Sequence, residues 1–196
     1  MTPIAIGRLL RSNTSACVFG CRINQENAPL FGEMVRIPLF NGLQLYGLVS
    51  EINIDDDGLV RQLVTAPEVS REVIEDNRQN RNMPVEMSVV FIGWERDGKV
   101  SHTRVPTPPL SLDEIYPCTN PEIVHFLESG RFGYLRGLLR NPELPAADLL
   151  TAHLRQVMRA QQNTNWIEPS LREVIALLKD DYPVLMDVLS AVSEIL

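Results

Sequence analysis

The chain has 196 residues, of which 44% are hydrophobic and 22% charged, and its formal net charge is −7. That length supports one large or two small domains with their own cores, and the acidic balance argues against a general nucleic-acid binder, although a local basic patch can survive it. No apolar run approaches the roughly 20 residues of a membrane helix. The apolar part of MTPIAIGRLL is too short for a signal peptide and lacks a small-residue cleavage site. Three cysteines are an odd number, which points away from a disulfide framework and towards a reducing compartment, so the cytoplasm is the expected location.

In chain order, Ile4 to Leu10 reads as a first strand, RSNTS as a polar turn and Ala16 to Ile23 as a second strand. The stretch Gly32 to Ile54 organises the chain. Val35, Ile37 and Leu39 alternate with Met34, Arg36 and Pro38. Leu43, Leu45, Gly47 and Val49 then alternate with Gln44, Tyr46, Leu48 and Ser50. Period two predicts half-buried strands, and Asn41-Gly42 between them is tight-turn chemistry. Gly47 in mid-strand predicts a bend or a close backbone approach. Asp55-Asp56-Asp57-Gly58 suggests another hairpin, with a strand over Leu59 to Ala66. The charged stretch from Pro67 to Asn82 reads as a short helix and a loop; with Arg78 and Arg81 it is either a solvated excursion or a partner-binding loop.

Strands resume at Val85 to Gly93 and Lys99 to Val105, with Asp97-Gly98 as a two-residue turn. VPTPPL, Val105 to Leu110, favours extended chain and cannot donate to a ladder at its prolines, which makes it the best domain boundary. Beyond it the period becomes helical. Asn120 is read as an N-cap with Pro121 at the first helical position. Further helices are expected over Phe132 to Leu139, over Ala146 to Gln161, from Pro169, and from Asp181 and Pro183. The fold class is therefore α+β: a small closed β-barrel over 1–107 and a helical appendage over 108–196.

Several patterns resemble chemistry and are better explained otherwise. Gly93 to Lys99 fits GxxxxGK, but Val100 stands where a P-loop needs Ser or Thr, and the residues after Lys99 alternate like a strand. Cys17 and Cys21 have no second ligand pair for zinc. His102, His125 and His153 fall in three separate elements with no ligand spacing. The Asp55 to Asp57 run lacks a calcium-loop pattern. No catalytic, cofactor-binding or metal site is assigned, and the chain is expected to be no enzyme.

Two surfaces remain. Arg131, Arg136, Arg140, Arg155 and Arg159 make the segment 131–165 basic, whereas 166–196 is acidic. These are two helical faces in water, or a basic patch for nucleic acid or an acidic partner. Leu185, Val188, Leu189, Val192 and Leu196 form one stripe at helical spacing. It either closes the helical appendage or docks on a partner.

The first 110 or so residues resemble the HAS barrel, the small β-barrel shared by HerA-type DNA-translocating ATPases and F1-type ATP synthase subunits. The resemblance is carried by IGRLLRSNTSACVFGCRI, FGEMVRIPL, LYGLVSEI and VVFIGW followed by VPTPPL. In that family a RecA-like ATPase domain follows the barrel. Here there is no Walker A motif, no Walker B strand and too little chain for such a domain, so ATPase activity does not carry over. The resemblance implies ring packing and docking of proteins. The expected function is a non-catalytic assembly or adaptor protein whose partners are proteins, an ATPase or further copies of itself, without a cofactor. A nucleic-acid-processing accessory is the alternative, and a cryptic nucleotide binder is a third reading.

Overall fold

In a computed structural model, the structure describes residues 4–22, 28–54, 65–74, 84–130, 132–161 and 163–194. Among the described residues, seven strands form one antiparallel sheet: β1 (Gly7–Ser12), β2 (Ala16–Arg22), β3 (Met34–Pro38), β4 (Gln44–Ile54), β5 (Pro84–Arg96), β6 (Lys99–Ser101) and β7 (Glu114–Pro117). Their order is β2-β1-β7-β3-β4-β5-β6, and β2 also pairs with β5. That second pairing closes six strands into a barrel and leaves β6 outside the ring as the return limb of the β5 hairpin. The barrel is filled by inward side chains such as Leu9, Phe19, Val35, Ile37, Leu45 and Val89, each fully buried.

The central hairpin is as the alternation predicts, with Val35 opposite Gly47 and Ile37 opposite Leu45. Gly47 is a close approach: a Cβ there would meet a methyl of Val89 at 2.3 Å and the Val90 carbonyl at 2.8 Å. The β4–β5 register shifts beside it, between Tyr46 and Gly47. Asp97 and Gly98 both have positive φ, 51° and 72°, which is the type I′ geometry that matches strand twist.

Three strand expectations differ from the structure. The strand expected over Lys99 to Val105 ends at Ser101, where the His102 ring packs on Phe126. The strand expected over 59–66 falls mostly outside the described residues; Thr65 and Ala66, which are described, are not in a strand, and a helical turn occupies 71–74. β7 was not anticipated. It lies past the Pro-rich segment at which the sequence reading ends the barrel, and it fills the gap between β1 and β3.

Five helices follow: α1 (Asn120–Glu128), α2 (Leu135–Leu139), α3 (Ala146–Ala160), α4 (Ile167–Leu178) and α5 (Tyr182–Ser193). The N-cap of α1 is Thr119, not Asn120. Glu122 reaches back to accept from the Thr119 backbone N–H at 2.8 Å and its hydroxyl at 2.9 Å, as the third-position Glu of a capping box does. α2 begins only at Leu135, because Phe132 sits in a turn with φ of 60°. α4 begins before Pro169, at Ile167, and α5 is capped by Asp181, which accepts from the Val184 N–H.

The helices build a second apolar core, and the barrel supplies one wall of it. Met34, Tyr46, Leu48, Val90 and Ile92 point outward from β3, β4 and β5 and are buried among Ile123, Phe126, Leu138, Leu149 and Leu154. β4 is therefore buried on both faces over Leu45 to Val49, not half-buried as its period suggests. Burying each such side chain contributes about 1.5–3 kcal/mol. Polar links tie the same seam. Met34 N–H donates to Gln156 Oε1 at 2.9 Å, and the Arg36 guanidinium lies 2.8 Å from Glu122 and over the Tyr116 ring.

Candidate functional site

The groups that most resemble chemistry are held in structural contacts. Lys99 opens β6 directly after the type I′ turn, so no helix N-terminus faces its ammonium. His153 is fully buried, with Nε2 3.1 Å from the Tyr134 hydroxyl; burial drives its pKa down to about 4, against a weaker opposing pull of the Gly32 backbone. His102 packs 4.4 Å from the Phe126 ring and meets the Phe126 carbonyl at 3.1 Å, and burial lowers it too. His125 lies 3.2 Å from Glu95. The other oxygen of Glu95 accepts from the Tyr46 hydroxyl at 2.6 Å, beneath α1. That chain links β4, β5 and α1, and burial holds the Tyr46 phenol protonated.

The three cysteines are free. Burial pushes Cys17 up to about 12 and raises Cys21 and Cys118, so these thiols are poor nucleophiles. Among the described residues no cluster of three His, Cys, Asp or Glu side chains could hold a metal ion, and no helix is long and apolar enough to cross a membrane.

The apolar stripe of α5 faces the chain's own core. Val188 and Val192 are fully buried, Leu185 nearly so, and Leu189 is half-buried against them. Leu196 lies outside the described residues.

A different apolar surface is open. The core under the helices takes no side chain from β1, β2 or β7. On that side Leu10 is 45% exposed, and Leu110 and Leu112 are 69% and 67% exposed. The turn carrying the last two is pinned to β1: Leu112 N–H donates to the Leu9 carbonyl, Leu9 N–H to the Asp113 carbonyl, and the Ser111 hydroxyl to the Leu10 carbonyl. Asp113 closes the turn by accepting from the Leu110 N–H at 2.7 Å. Leu112 has φ of 72°, a conformation that a leucine adopts only under constraint. Leu10 lies over Gly20 on β2, and ion pairs Arg8–Glu114 and Arg11–Glu86 border the patch.

Of the five arginines of the basic segment, only Arg136 and Arg140 among the described ones line one cleft. Arg159 is drawn to Glu33 at 3.6 Å, Arg155 is exposed elsewhere on α3, and Arg131 lies outside the described residues. Arg136 and Arg140 instead line a cleft of about 420 Å³ between α2 and the outer wall of β5. Arg104, from the linker after β6, lines it too, with the hydroxyls of Thr14, Ser15 and Thr103, the amide of Asn141 and an apolar floor that includes Val90 and Phe91. A second cleft, about 740 Å³, lies among α2, α3, α4 and α5 and mixes apolar side chains with Asp148, Asp181 and Asp187.

No family model matches the chain, and no curated protein is significantly similar to it. Two features of these surfaces escaped the sequence reading. Arg104 is a lone cation in a Pro-rich stretch, and nothing local ties it to α2. Leu110 ends the segment read as a boundary and Leu112 follows it; their signal was two leucines beside Ser111 and Asp113 in an otherwise turn-like sequence, which predicts apolar side chains held out by a turn.

Proposed function

We propose that this chain is a non-catalytic assembly or adaptor protein, of the HAS-barrel kind, that docks on other proteins through its barrel. The observation that carries the reading is the pinned turn that holds Leu110 and Leu112 out beside Leu10. Large apolar side chains fixed in solvent by backbone hydrogen bonds have a low entropy cost of ordering when a partner covers them, and such exposed patches mark interaction sites. A closed six-stranded barrel, entered through a strand, a polar turn and a second strand, supports the family resemblance. The partner is another β-barrel or an ATPase assembly that carries one. Catalysis has little support: the described thiols are held protonated, and His102 and His153 are tied into packing. The nucleic-acid reading has less to draw on, since Arg159 is paired with Glu33.

The test places a photo-crosslinking residue at Leu110 and compares the sedimentation of the wild type with that of a Leu110→Glu, Leu112→Glu variant. Cross-linking to one defined partner, or to a second copy, together with loss of that association in the variant, is the expected outcome. Equal association in both proteins, with no cross-link from position 110, would sink the reading.

A further inference from the structure

We infer that the cleft between α2 and the β5 wall is a binding site for a small phosphorylated ligand, independent of the docking face. Arg104, Arg136 and Arg140 come from two separate parts of the chain and converge on one cavity of about 420 Å³. No Asp or Glu lines it, and none of the three makes an ion pair among the described residues. The chain carries 25 acidic residues against 18 Lys and Arg, yet none lines this cleft; Arg140 also borders the second cleft, where the aspartates are. Like charges around one cavity repel, and an anion between them relieves that repulsion.

The remaining lining fits the same class. Guanidinium forks match phosphate oxygens two at a time. Thr14, Thr103 and Asn141 add hydroxyl and amide groups to the lining, and half-buried Phe91 offers an apolar wall against which a flat ring can lie. The volume lies within the range of small-molecule sites. A nucleic-acid strand needs a basic groove that tracks its backbone, with aromatic side chains at intervals. Here three cations line one half-open cleft, and neither Arg155 nor Arg159 borders it.

The test is calorimetric titration of the whole chain with pyrophosphate, with ADP and with an oligothymidylate, each at one ionic strength matched with sodium chloride. Saturable binding of pyrophosphate or ADP is expected. Arg104→Gln, Arg136→Gln and Arg140→Gln should each weaken it about tenfold, the scale of one charged hydrogen-bonding partner lost. Ser15→Asp, which puts a carboxylate at the rim, should abolish it, and Arg155→Gln should leave it unchanged. All of these side chains are exposed, so unaltered circular dichroism is expected throughout. No saturable binding of either small probe, binding indifferent to the three arginines, or binding of the oligonucleotide alone would overturn the inference. The leucine variants of the docking face leave this titration untouched, so the two readings fail separately.

Discussion

The two sides of the barrel wall have outward residues of the same kind and opposite fates. On β3 and β4, Met34, Tyr46 and Leu48 point away from the barrel interior and are 0–1% exposed. On β1, Leu10 points away and is 45% exposed. The strands themselves do not decide this. A helical layer encoded more than 70 residues later covers one side and passes by the other. An apolar residue on the outer face of a strand is thus core or contact surface according to what a distant segment does.

That difference can be broken most severely on the covered side. Gly47→Ala pushes a methyl into Val89 and the Val90 carbonyl, and Leu48→Ala opens a void between barrel and helices; each should cost about 2–5 kcal/mol on the core-substitution scale, read by urea unfolding. Acid sharpens the same contrast. His153 binds no proton in the folded state until about pH 4, while the unfolded chain takes one up below about 6.5. Stability contributed by the neutral imidazole is present above pH 6.5 and falls as pH drops towards 4, by about 3 kcal/mol in all at 1.36 kcal/mol per unit. Denaturation curves at several pH values check this, and His153→Leu should flatten the slope in that window. Arg36→Ala strips the partner from half-buried Glu122 across the barrel–helix seam and should cost about 1–3 kcal/mol, with a smaller loss in Arg36→Lys. On the bare side, Leu10→Ser should move stability by no more than about 0.5 kcal/mol, while weakening whatever association the Leu110 and Leu112 turn supports. A large loss of stability there would mean that the bare side is covered after all.

Much of the barrel was legible because its turns are chemically explicit. Asn41-Gly42 and Asp97-Gly98 need positive φ, and the runs on either side alternate; Gly47 announced a close approach and is one. The α3 and α5 stripes were long enough for their period to show. The missing strand was β7: four residues, Glu114 to Pro117, give barely one alternation, and the prolines before them had already suggested an exit from the sheet. The burial of Tyr46 and Leu48 was not legible, because period two reports the strand and not its cover. The arginine-lined cleft was half-legible: Arg136 and Arg140 stood out as a cluster, but their grouping with Arg104 is made by tertiary packing alone.

The placement of β7 has a kinetic consequence. Arg8 and Glu114, 106 positions apart, lie side by side across the seam that β7 makes with β1. Pairing over that distance is slow, because a long loop must be closed before the contact returns anything. On a ribosome, β1 and β2 emerge early and pair with each other, but the far edge of β1 has no neighbour until the segment around Ile115 has left the exit tunnel. Through most of synthesis the nascent chain therefore carries an open, hydrogen-bond-hungry edge, the kind of edge that other chains or holding chaperones capture.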